Sequence, residues 1–243
     1  MILLKKSNVQ EKIVIQITDT HLMDNPQATF VEINPELSFH TVIEDILEKY
    51  PEIDAIVHTG DLAQVATPET YARYQAYMQK LNIPFYQIPG NHDDIQHFPF
   101  ESPDPIPAVL RVGEWRIILL NSAVPHRIDG WIKSEQLEHL KTILDSNLQQ
   151  PILIACHHHP LEMKSNWIDR HKLKNTDELK DVLSTYDNIK AVICGHVHQD
   201  SLNVWKNIHF LSTPSQHPKR NTASRHSYFS FSTAVICQDF LTL

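Results

Sequence analysis

The sequence predicts an α/β fold, because short apolar runs with the length of buried strands alternate with amphipathic, helix-like segments. Five of these runs share a second property, since each leads directly into side chains that can bind a metal ion or move a proton. They cover residues 13–17, 53–57, 84–88, 151–156 and 191–194. In α/β sheets, ligands collect outside the carboxyl ends of the strands. We therefore expect the five ends to converge on one cleft.

The first two helices follow from local signals. Asn34 followed by Pro35 indicates a helix start, since proline is favoured at the first helical position. Its apolar stripe would consist of Phe39, Val42, Ile43, Ile46, Leu47 and Tyr50. Thr67 and Pro68 indicate a second helix. Its buried face would carry Tyr71, Tyr74, Met78 and Leu81. Core packing explains these aromatic side chains better than a base-stacking platform does.

A second sheet is predicted by a β-hairpin among otherwise parallel strands. Gly90 turns the chain at the end of the third apolar run, and a proline-rich loop follows at 98–107. Residues 109–112 and 115–120 are apolar stretches separated by two residues, a pattern typical of a hairpin. A hairpin does not belong to a purely parallel sheet, so we expect a second sheet packed on the first.

The second half of the chain repeats the alternation of helices and strands. Ser134 opens a predicted helix. Its buried face would carry Leu137, Leu140, Leu144 and Leu148. Asn175 with Glu178 resembles a capping box at the start of a short helix. That helix carries Leu179, Val182 and Leu183. Residues 202–205 and 208–211 predict a second hairpin.

Length and composition narrow the class of protein. At 243 residues, 42% of them hydrophobic, the chain can bury a full core, and we expect one large domain. No apolar run approaches the roughly 18 residues of a membrane span. The first basic residues follow a very short apolar run, the reverse of a secretory signal, so we expect a cytoplasmic protein. The formal net charge of -8 argues against a nucleic-acid or anionic-membrane surface.

Seven residues at the predicted strand ends form a candidate metal centre. They are Asp19, His21, Asp61, Asn91, His157, His196 and His198. Imidazole, carboxylate and amide ligands suit zinc, manganese or iron. Seven ligands are too many for one tetrahedral ion but suit two ions that share a carboxylate. With Asp61 shared, one ion takes Asp19, His21 and His198, and the other takes Asn91, His157 and His196.

Three unevenly spaced cysteines indicate neither a disulfide framework nor a zinc site. Cys156 and Cys194 lie at the ends of apolar runs, and we expect both to be small buried hydrophobic residues.

A pair of ions, roughly 3.5 to 4 Å apart, can hold a bridging hydroxide and clamp a phosphoryl group for in-line displacement. His92 has no metal role in this division, so we expect it to act as the acid for the leaving oxygen. Each short motif is common by chance, but all five in this order argue for a real site. His158 and His159 adjoin a ligand, and two roles stay open for them, supporting that ligand or facing the substrate. Solvated or packing roles are expected for His58, His97, His126, His139, His171 and His209.

The same residues carry a resemblance to a known family. The chain resembles the calcineurin-like metallophosphoesterases at Asp19-Thr20-His21, Gly60-Asp61, Gly90-Asn91-His92-Asp93, His157 and Gly195-His196-Val197-His198. More narrowly, it is similar to the bacterial class III cyclic-AMP phosphodiesterases at 16–22, 157–161, 167–169 and 194–199. The likeness covers about residues 12–215.

The resemblance implies a four-layer αββα sandwich of two mixed β-sheets flanked by helices. It also implies hydrolysis of 3′,5′-cyclic AMP to 5′-AMP with two divalent metal ions, Fe²⁺ and/or Mn²⁺. The seven residues above take the metal roles, and His92 takes the catalytic role. The expected contacts with this small-molecule substrate are His21, Asp61, Asn91, His92 and His198. The number of subunits stays open.

The resemblance divides the chain into a metallophosphoesterase domain at 1–215 and a divergent tail at 216–243. The family continues past Thr213-Pro214-Ser215 with a Phe-Pro-containing loop and further strands, whereas this chain has Gln216-His217-Pro218-Lys219-Arg220. Two explanations stay open, a truncated or frame-shifted gene and real divergence. Either one puts final strands and contacts on the substrate side in doubt.

Three functions are compatible with these residues. The first is hydrolysis of a cyclic nucleotide. The second keeps the two ions and changes the substrate to another phosphodiester, a nucleotide or a phosphoprotein, because the sequence contains no evident base-recognition motif. The third is a binding scaffold without catalysis. A scaffold would be expected to lose ligands or the catalytic histidine, and this chain retains all eight.

Overall fold

Two mixed β-sheets pack face to face with helices on both outer sides, as predicted. The computed structural model of the protein describes residues 12–101, 104–215 and the backbone of 234–236. The strands are β1 (Val14–Ile17), β2 (Ala55–His58), β3 (Phe85–Gln87), β4 (Ala108–Val112), β5 (Trp115–Leu119), β6 (Ile152–Cys156), β7 (Ile189–Cys194), β8 (Ser201–Trp205), β9 (Ile208–Ser212) and β10 (Ala234–Ile236). The helices are α1 (Pro35–Lys49), α2 (Pro68–Lys80), α3 (Ser134–Asp145) and α4 (Thr176–Leu183), with a 3₁₀ turn at Ile168–His171.

Both sheets combine parallel strands with antiparallel edge strands. The first sheet has the order β10-β1-β2-β3, in which β1 to β3 are parallel and β10 is antiparallel to β1. The second has the order β4-β5-β6-β7-β9-β8, in which β5, β6, β7 and β9 are parallel. The two predicted hairpins, β4 with β5 and β8 with β9, provide its antiparallel edges. The expectation of a second sheet is therefore confirmed.

Alternating side chains divide the core into three layers. In β6, Leu153 faces the other sheet, whereas Cys156 faces α3 and α4. In β1, Val14 lies between the sheets and Ile15 packs against α1 and α2. Cys194 is buried in the same outer layer as Cys156, as expected. Because successive side chains of a strand point to opposite faces, each strand contributes to two apolar cores. Each fully buried Leu or Ile stabilises the folded state by about 1.5–3 kcal/mol.

Both predicted caps at the starts of α1 and α2 are present. Asn34 Oδ1 accepts a hydrogen bond from the Leu37 amide at 2.7 Å, and Pro35 occupies the first turn of α1. Thr67 Oγ1 accepts one from the Thr70 amide at 3.2 Å at the start of α2. Each cap satisfies an amide that has no partner within its own helix and contributes about 1 kcal/mol. Local signals therefore locate both helix starts correctly.

Two local expectations are wrong. Helix α3 ends at Asp145, so Leu148 lies beyond it and is 56% exposed instead of buried. The capping box of α4 does not form, because the Asn175 side chain accepts a hydrogen bond from the Ile132 amide at 3.1 Å and donates to the Ile132 carbonyl at 2.7 Å. The hydrogen bond with Ile132 therefore uses the Asn175 side-chain oxygen that would be needed to cap α4.

The predicted tail at 216–243 is described only in the backbone of β10, which pairs antiparallel with β1. The boundary at residue 215 and the two explanations for the tail stay predictions. Among the helices in the described ranges, none combines the length and the apolar character needed to cross a membrane.

Candidate metal centre and catalytic cleft

The five predicted strand ends converge at one edge of the two sheets. The side chains brought together there are Asp19 and His21 after β1, Asp61 after β2, Asn91 and His92 after β3, His157 after β6, and His196 and His198 after β7. All eight residues of the predicted site are therefore neighbours, although they come from both sheets. The convergence follows from the parallel direction of the strands within each sheet, which places their carboxyl ends at the same edge.

Asp19, His21 and His198 form the first of two groups of ligand atoms. His198 Nε2 lies 3.1 Å from Asp19 Oδ1 and 3.3 Å from His21 Nε2. The ligand atoms of the three residues all lie within 4.8 Å of one another. Because bonds from a metal ion to nitrogen or oxygen are about 2 Å long, one cation can lie among them. The same three residues are predicted from the sequence to share one ion.

His157 is at the centre of the second group. Its Nε2 lies 3.4 Å from Asp61 Oδ2 and 3.2 Å from Asn91 Oδ1, and its ring centroid lies 5.1 Å from that of His196. Asp61 Oδ2 also lies 3.8 Å from His21 Nε2, in the first group. One carboxylate thus reaches both groups, as a bridging ligand must.

The backbone fixes the orientation of the His157 ring. Nδ1 donates a hydrogen bond to the Thr59 carbonyl at 2.7 Å, because a carbonyl oxygen can only accept. In the neutral ring, Nε2 therefore carries the lone pair, and it faces Asp61 and Asn91. A partner that holds the far nitrogen is the usual support of a metal-binding histidine.

One buried polar atom of the site, His196 Nε2, lacks a hydrogen-bond partner within the described part of the chain. Leaving such an atom unpaired costs roughly 1–3 kcal/mol. A bound cation would give it a partner. Together with the two groups of ligand atoms that share Asp61, this nitrogen fits a centre of two divalent metal ions.

Burial lowers the pKa of the histidines in the site, whereas the nearby carboxylates raise it. Burial lowers the pKa of His157, but the carboxylates of Asp61 and Asp19 outweigh burial and raise that pKa to about 9. Burial lowers the pKa of His196 to about 3. A cation that binds at neutral pH therefore has to displace a proton from His157, whereas His196 is already neutral.

Five of the seven candidate ligands have a left-handed backbone. The φ angle lies between 47° and 68° at Asp19, His21, Asp61, His196 and His198. Residues other than glycine rarely adopt this region, and each instance costs about 1–3 kcal/mol. Nothing in the sequence signals this strain. Gly90 allows the close approach that its sequence position predicts, since an added Cβ would collide with Asp61 Oδ1 and the Asp61 amide nitrogen.

His92 lies at the rim of the centre and is exposed, whereas Asp19 and Asp61 are buried. Its backbone amide donates to Asp61 Oδ1 at 2.8 Å, and its ring centroid lies 5.0 Å from that of His21. The residue borders an open cleft of about 340 Å³. An exposed imidazole beside the centre can exchange a proton with a molecule bound in the cleft.

Neither of the two histidines that follow the ligand of β6 belongs to the lining of the cleft that His92 borders, although a ring nitrogen of His158 lies within 4.8 Å of ligand atoms of His157 and His196. His158 Nδ1 accepts from Ser122 Oγ at 2.8 Å, and its Nε2 donates to the Ile128 carbonyl at 3.1 Å. His159 is 1% exposed, and its Nε2 lies 3.5 Å from Asp169 Oδ1. Of the two roles that the sequence leaves open, the geometry favours structural support.

Asp93 has a role that was not predicted from the sequence, because it joins the loops that follow β2 and β3. Its carboxylate accepts hydrogen bonds at 2.9–3.1 Å from the amides of Gly90, Leu62 and Ala63 and from the hydroxyl of Tyr71. Burial and the Asp61 carboxylate raise the pKa of Asp93 to about 7. One feature of the sequence could have indicated this role, because Asp93 directly follows His92 in a tight turn, where Asp often accepts hydrogen bonds from nearby backbone amides.

The chain is similar in sequence to known phosphoesterases. The family described as calcineurin-like phosphoesterase matches residues 13–200. The chain is 36% identical over 209 residues to the 3′,5′-cyclic adenosine monophosphate phosphodiesterase CpdA of Haemophilus influenzae, covering 83% of this chain and 75% of that protein. It is 37% identical over 208 residues to the 3′,5′-cyclic-nucleotide phosphodiesterase alr5338 of Nostoc, covering 83% of this chain and 77% of that protein.

The fold is similar to that of a solved dimetal phosphatase from Danio rerio. The TM-score is 0.63, and the match covers 84% of this chain and 88% of the phosphatase. At 13% identity the likeness concerns the fold alone. It agrees with the predicted four-layer sandwich of two sheets and flanking helices.

Replacing Asp93 by asparagine should destabilise the protein, because an NH₂ group would then face backbone amides that need an acceptor. We expect Asp93→Asn to lower the free energy of unfolding by roughly 1–3 kcal/mol, measured by urea denaturation. The matched control is Asp94→Asn, since the Asp94 side chain is 39% exposed and pairs with His97. The control should change stability by less than about 0.5 kcal/mol. Equal effects of the two substitutions would contradict the role of Asp93.

The buried His58 should make the metal-stripped protein sensitive to acid. Burial lowers the pKa of His58 from 6.5 to about 3, and its Nε2 donates to Thr20 Oγ1 at 3.1 Å. Because the pKa is lower in the folded state, the stabilising contribution is fully present above pH 6.5 and is lost as the pH falls toward 3. In that range, His58 alone should lower the free energy of unfolding by about 1.4 kcal/mol for each unit by which the pH falls.

His58→Gln should therefore reduce the pH dependence of the unfolding free energy, measured in urea at several pH values between neutral and mildly acid. His139→Gln, at a half-buried position on α3, is the control and should keep the slope of the wild-type protein. A slope that His58→Gln leaves unchanged would show that this histidine is not the acid-sensitive group.

Proposed function

This chain belongs to the calcineurin-like phosphoesterase family, and we propose that it hydrolyses 3′,5′-cyclic AMP to 5′-AMP with two divalent metal ions. The family and the similar proteins make it an enzyme, a metal-dependent phosphodiesterase. Support for the cyclic nucleotide comes from the names of relatives that are 36–37% identical to it. One observation supports the proposal of two metal ions: the Asp61 carboxylate reaches both groups of ligand atoms.

The proposed metal ligands divide into two sets that share Asp61. Asp19, His21 and His198 would hold one ion, and Asn91, His157 and His196 would hold the other. When bound, the two ions would supply Lewis acidity that activates water and offsets negative charge on the phosphoryl group. Nitrogen and oxygen donors without a thiolate suit Fe²⁺ and Mn²⁺, and metal availability decides between them.

We assign to His92 the role of protonating the leaving oxygen. A ribose 3′ alkoxide is a poor leaving group, so it gains from a proton that arrives as its bond to phosphorus breaks. In the net step, the oxygen of water bonds to phosphorus, one proton of that water passes to the solvent, from which His92 is later reprotonated, and the bond from phosphorus to O3′ breaks. The proton from His92 then completes the 3′ hydroxyl of 5′-AMP. The exposure of this imidazole at the rim supports the role.

The proposed substrate contacts lie close to one another at the centre. Asn91 Oδ1 faces His157 Nε2 at 3.2 Å, which leaves the Asn91 NH₂ group as a donor for a phosphoryl oxygen. One ligand atom each of His21, Asp61 and His92 lies within 4.8 Å of the other two, and His198 Nε2 lies 3.3 Å from His21 Nε2. These residues can therefore meet a single phosphate group.

The remaining expectations about partners and location stay predictions. A small-molecule substrate is implied by relatives named as cyclic-nucleotide phosphodiesterases. The absence of nucleic-acid and membrane partners and the cytoplasmic location rest on composition and charge alone.

Turnover of cyclic AMP by metal-stripped protein reloaded with Mn²⁺ tests the proposed function. We expect conversion to 5′-AMP that a chelator abolishes, since the candidate ligands would then lose both ions. An aryl phosphodiester is assayed beside it. Cleavage of the aryl ester alone would keep the metal mechanism and exclude cyclic AMP, whereas inactivity on both would favour either a scaffold or an enzyme impaired by its divergent tail.

His92→Ala should retain both metal ions and lose most turnover, because only the proton donor is removed. We expect kcat to fall by about 10² to 10⁴-fold, with metal content measured on the same sample by atomic emission. His97→Ala is the control, since this nearby histidine is exposed and pairs with Asp94. Loss of both metals from His92→Ala would show that His92 is a ligand instead.

A further inference from the structure

The cleft beside His92 continues into a second cavity. The first cavity measures about 340 Å³ and includes His92 in its lining. The second measures about 350 Å³ and shares Ile95, Val124 and Pro125 with the first. Both volumes fall in the range of small-molecule sites. The shared wall makes the two cavities one depression that begins at the proposed acid.

The second cavity has a largely apolar wall with one large aromatic ring. Ala123, Val124, Pro125 and Trp131 all belong to this wall. Trp131 is 38% exposed, so part of its ring is accessible to a ligand. An accessible indole offers a stacking surface to any flat ring, and stacking of this kind tolerates different bases.

The loop that carries this wall is held in place by buried hydrogen bonds. The Trp131 amide donates to the Ser122 carbonyl at 2.9 Å, which closes the loop on itself. At its start, the Asn121 amide donates to the Gln136 side chain on α3 at 2.9 Å. The wall is therefore preformed, and a ligand would not have to order it.

The cations that border the second cavity are already neutralised. Arg127 Nε lies 2.7 Å from Asp129 Oδ1, and Lys133 Nζ lies 2.7 Å from Asp104 Oδ2. A paired cation offers little net charge to an anion. The cavity therefore suits an uncharged flat ring better than a second phosphate.

The direction of the proposed reaction selects this side of the centre. The oxygen that leaves phosphorus must lie beside His92, and it belongs to the ribose. The ribose and its base must therefore extend from His92 away from the buried ligands. The second cavity adjoins the cleft that His92 borders through Ile95, Val124 and Pro125, so a base that extends from this cleft can reach it.

We propose that the nucleobase of the cyclic nucleotide stacks on Trp131 in this second cavity. The inference rests on the proposed function and adds to it a residue that distinguishes a nucleotide from a simple phosphodiester. It also supplies the base-recognition element that the sequence alone does not reveal.

The test compares Trp131→Ala with the wild-type holoenzyme on two substrates that share the scissile bond. Cyclic AMP carries a base, and the abasic ribose 3′,5′-cyclic phosphate does not. We expect Trp131→Ala to raise KM for cyclic AMP about tenfold, the effect of losing one stacked base, and to leave kcat/KM for the abasic substrate unchanged. Adenosine binding to the metal-loaded protein, measured by titration calorimetry, should weaken by a similar factor.

Two further variants separate stacking from folding. Trp167→Ala is the matched control, because Trp167 is 71% exposed and lies outside the second cavity. It should leave KM for cyclic AMP unchanged. Trp131→Phe keeps a flat ring and should retain most of the affinity for adenosine, even if Trp131→Ala folds poorly.

The outcomes distinguish this inference from the proposed function. An unchanged KM in Trp131→Ala would overturn the base site and leave the phosphodiesterase intact. An increase confined to Trp167→Ala would place the base elsewhere and overturn it as well. If wild-type protein cleaves an aryl phosphodiester but not cyclic AMP, the proposed substrate fails and the base site fails with it.

Discussion

The position of one buried carboxylate, that of Asp61, constrains the rest of the site. Its Oδ2 lies between His157 and His21, and its Oδ1 accepts the backbone amide of His92. The candidate metal centre and the candidate acid therefore depend on the same side chain. Gly90 makes this possible, because any side chain there would occupy the space of the Asp61 carboxylate. The turns after β2 and β3 can approach this closely only with a glycine at that position.

The site contains several features that destabilise the folded state, and the rest of the fold has to offset them. Five left-handed residues and the unpaired Nε2 of His196 each cost free energy. Burial also opposes the charge of Asp19 and Asp61, although neighbouring histidines hold the pKa of both carboxyls below the ordinary value. The three apolar layers on and between the sheets supply stability, and the ends of the parallel strands provide a rigid edge for the ligands.

The candidate metal centre and the proposed base site lie on different elements of this fold. The candidate ligands follow directly from β1, β2, β3, β6 and β7, so sheet geometry fixes them. The proposed base site lies on the loop between β5 and α3, which carries Trp131 and adjoins the cleft through Pro125. A loop can change its side chains without moving the strand ends. This separation explains how one fold can serve different phosphoester substrates.

The sequence by itself determined the two-sheet α/β class, the helix starts at Asn34 and Thr67, and the set of side chains at the strand ends. These features depend on short-range patterns such as alternating apolar residues, caps and ligands directly after strands. Only the tertiary structure decided that Asn175 binds Ile132 instead of capping α4, and that Asp93 joins two loops. Such hydrogen bonds connect residues that are distant in the chain. A local sequence pattern does not identify the distant partner, because the tertiary fold determines which atoms come into contact.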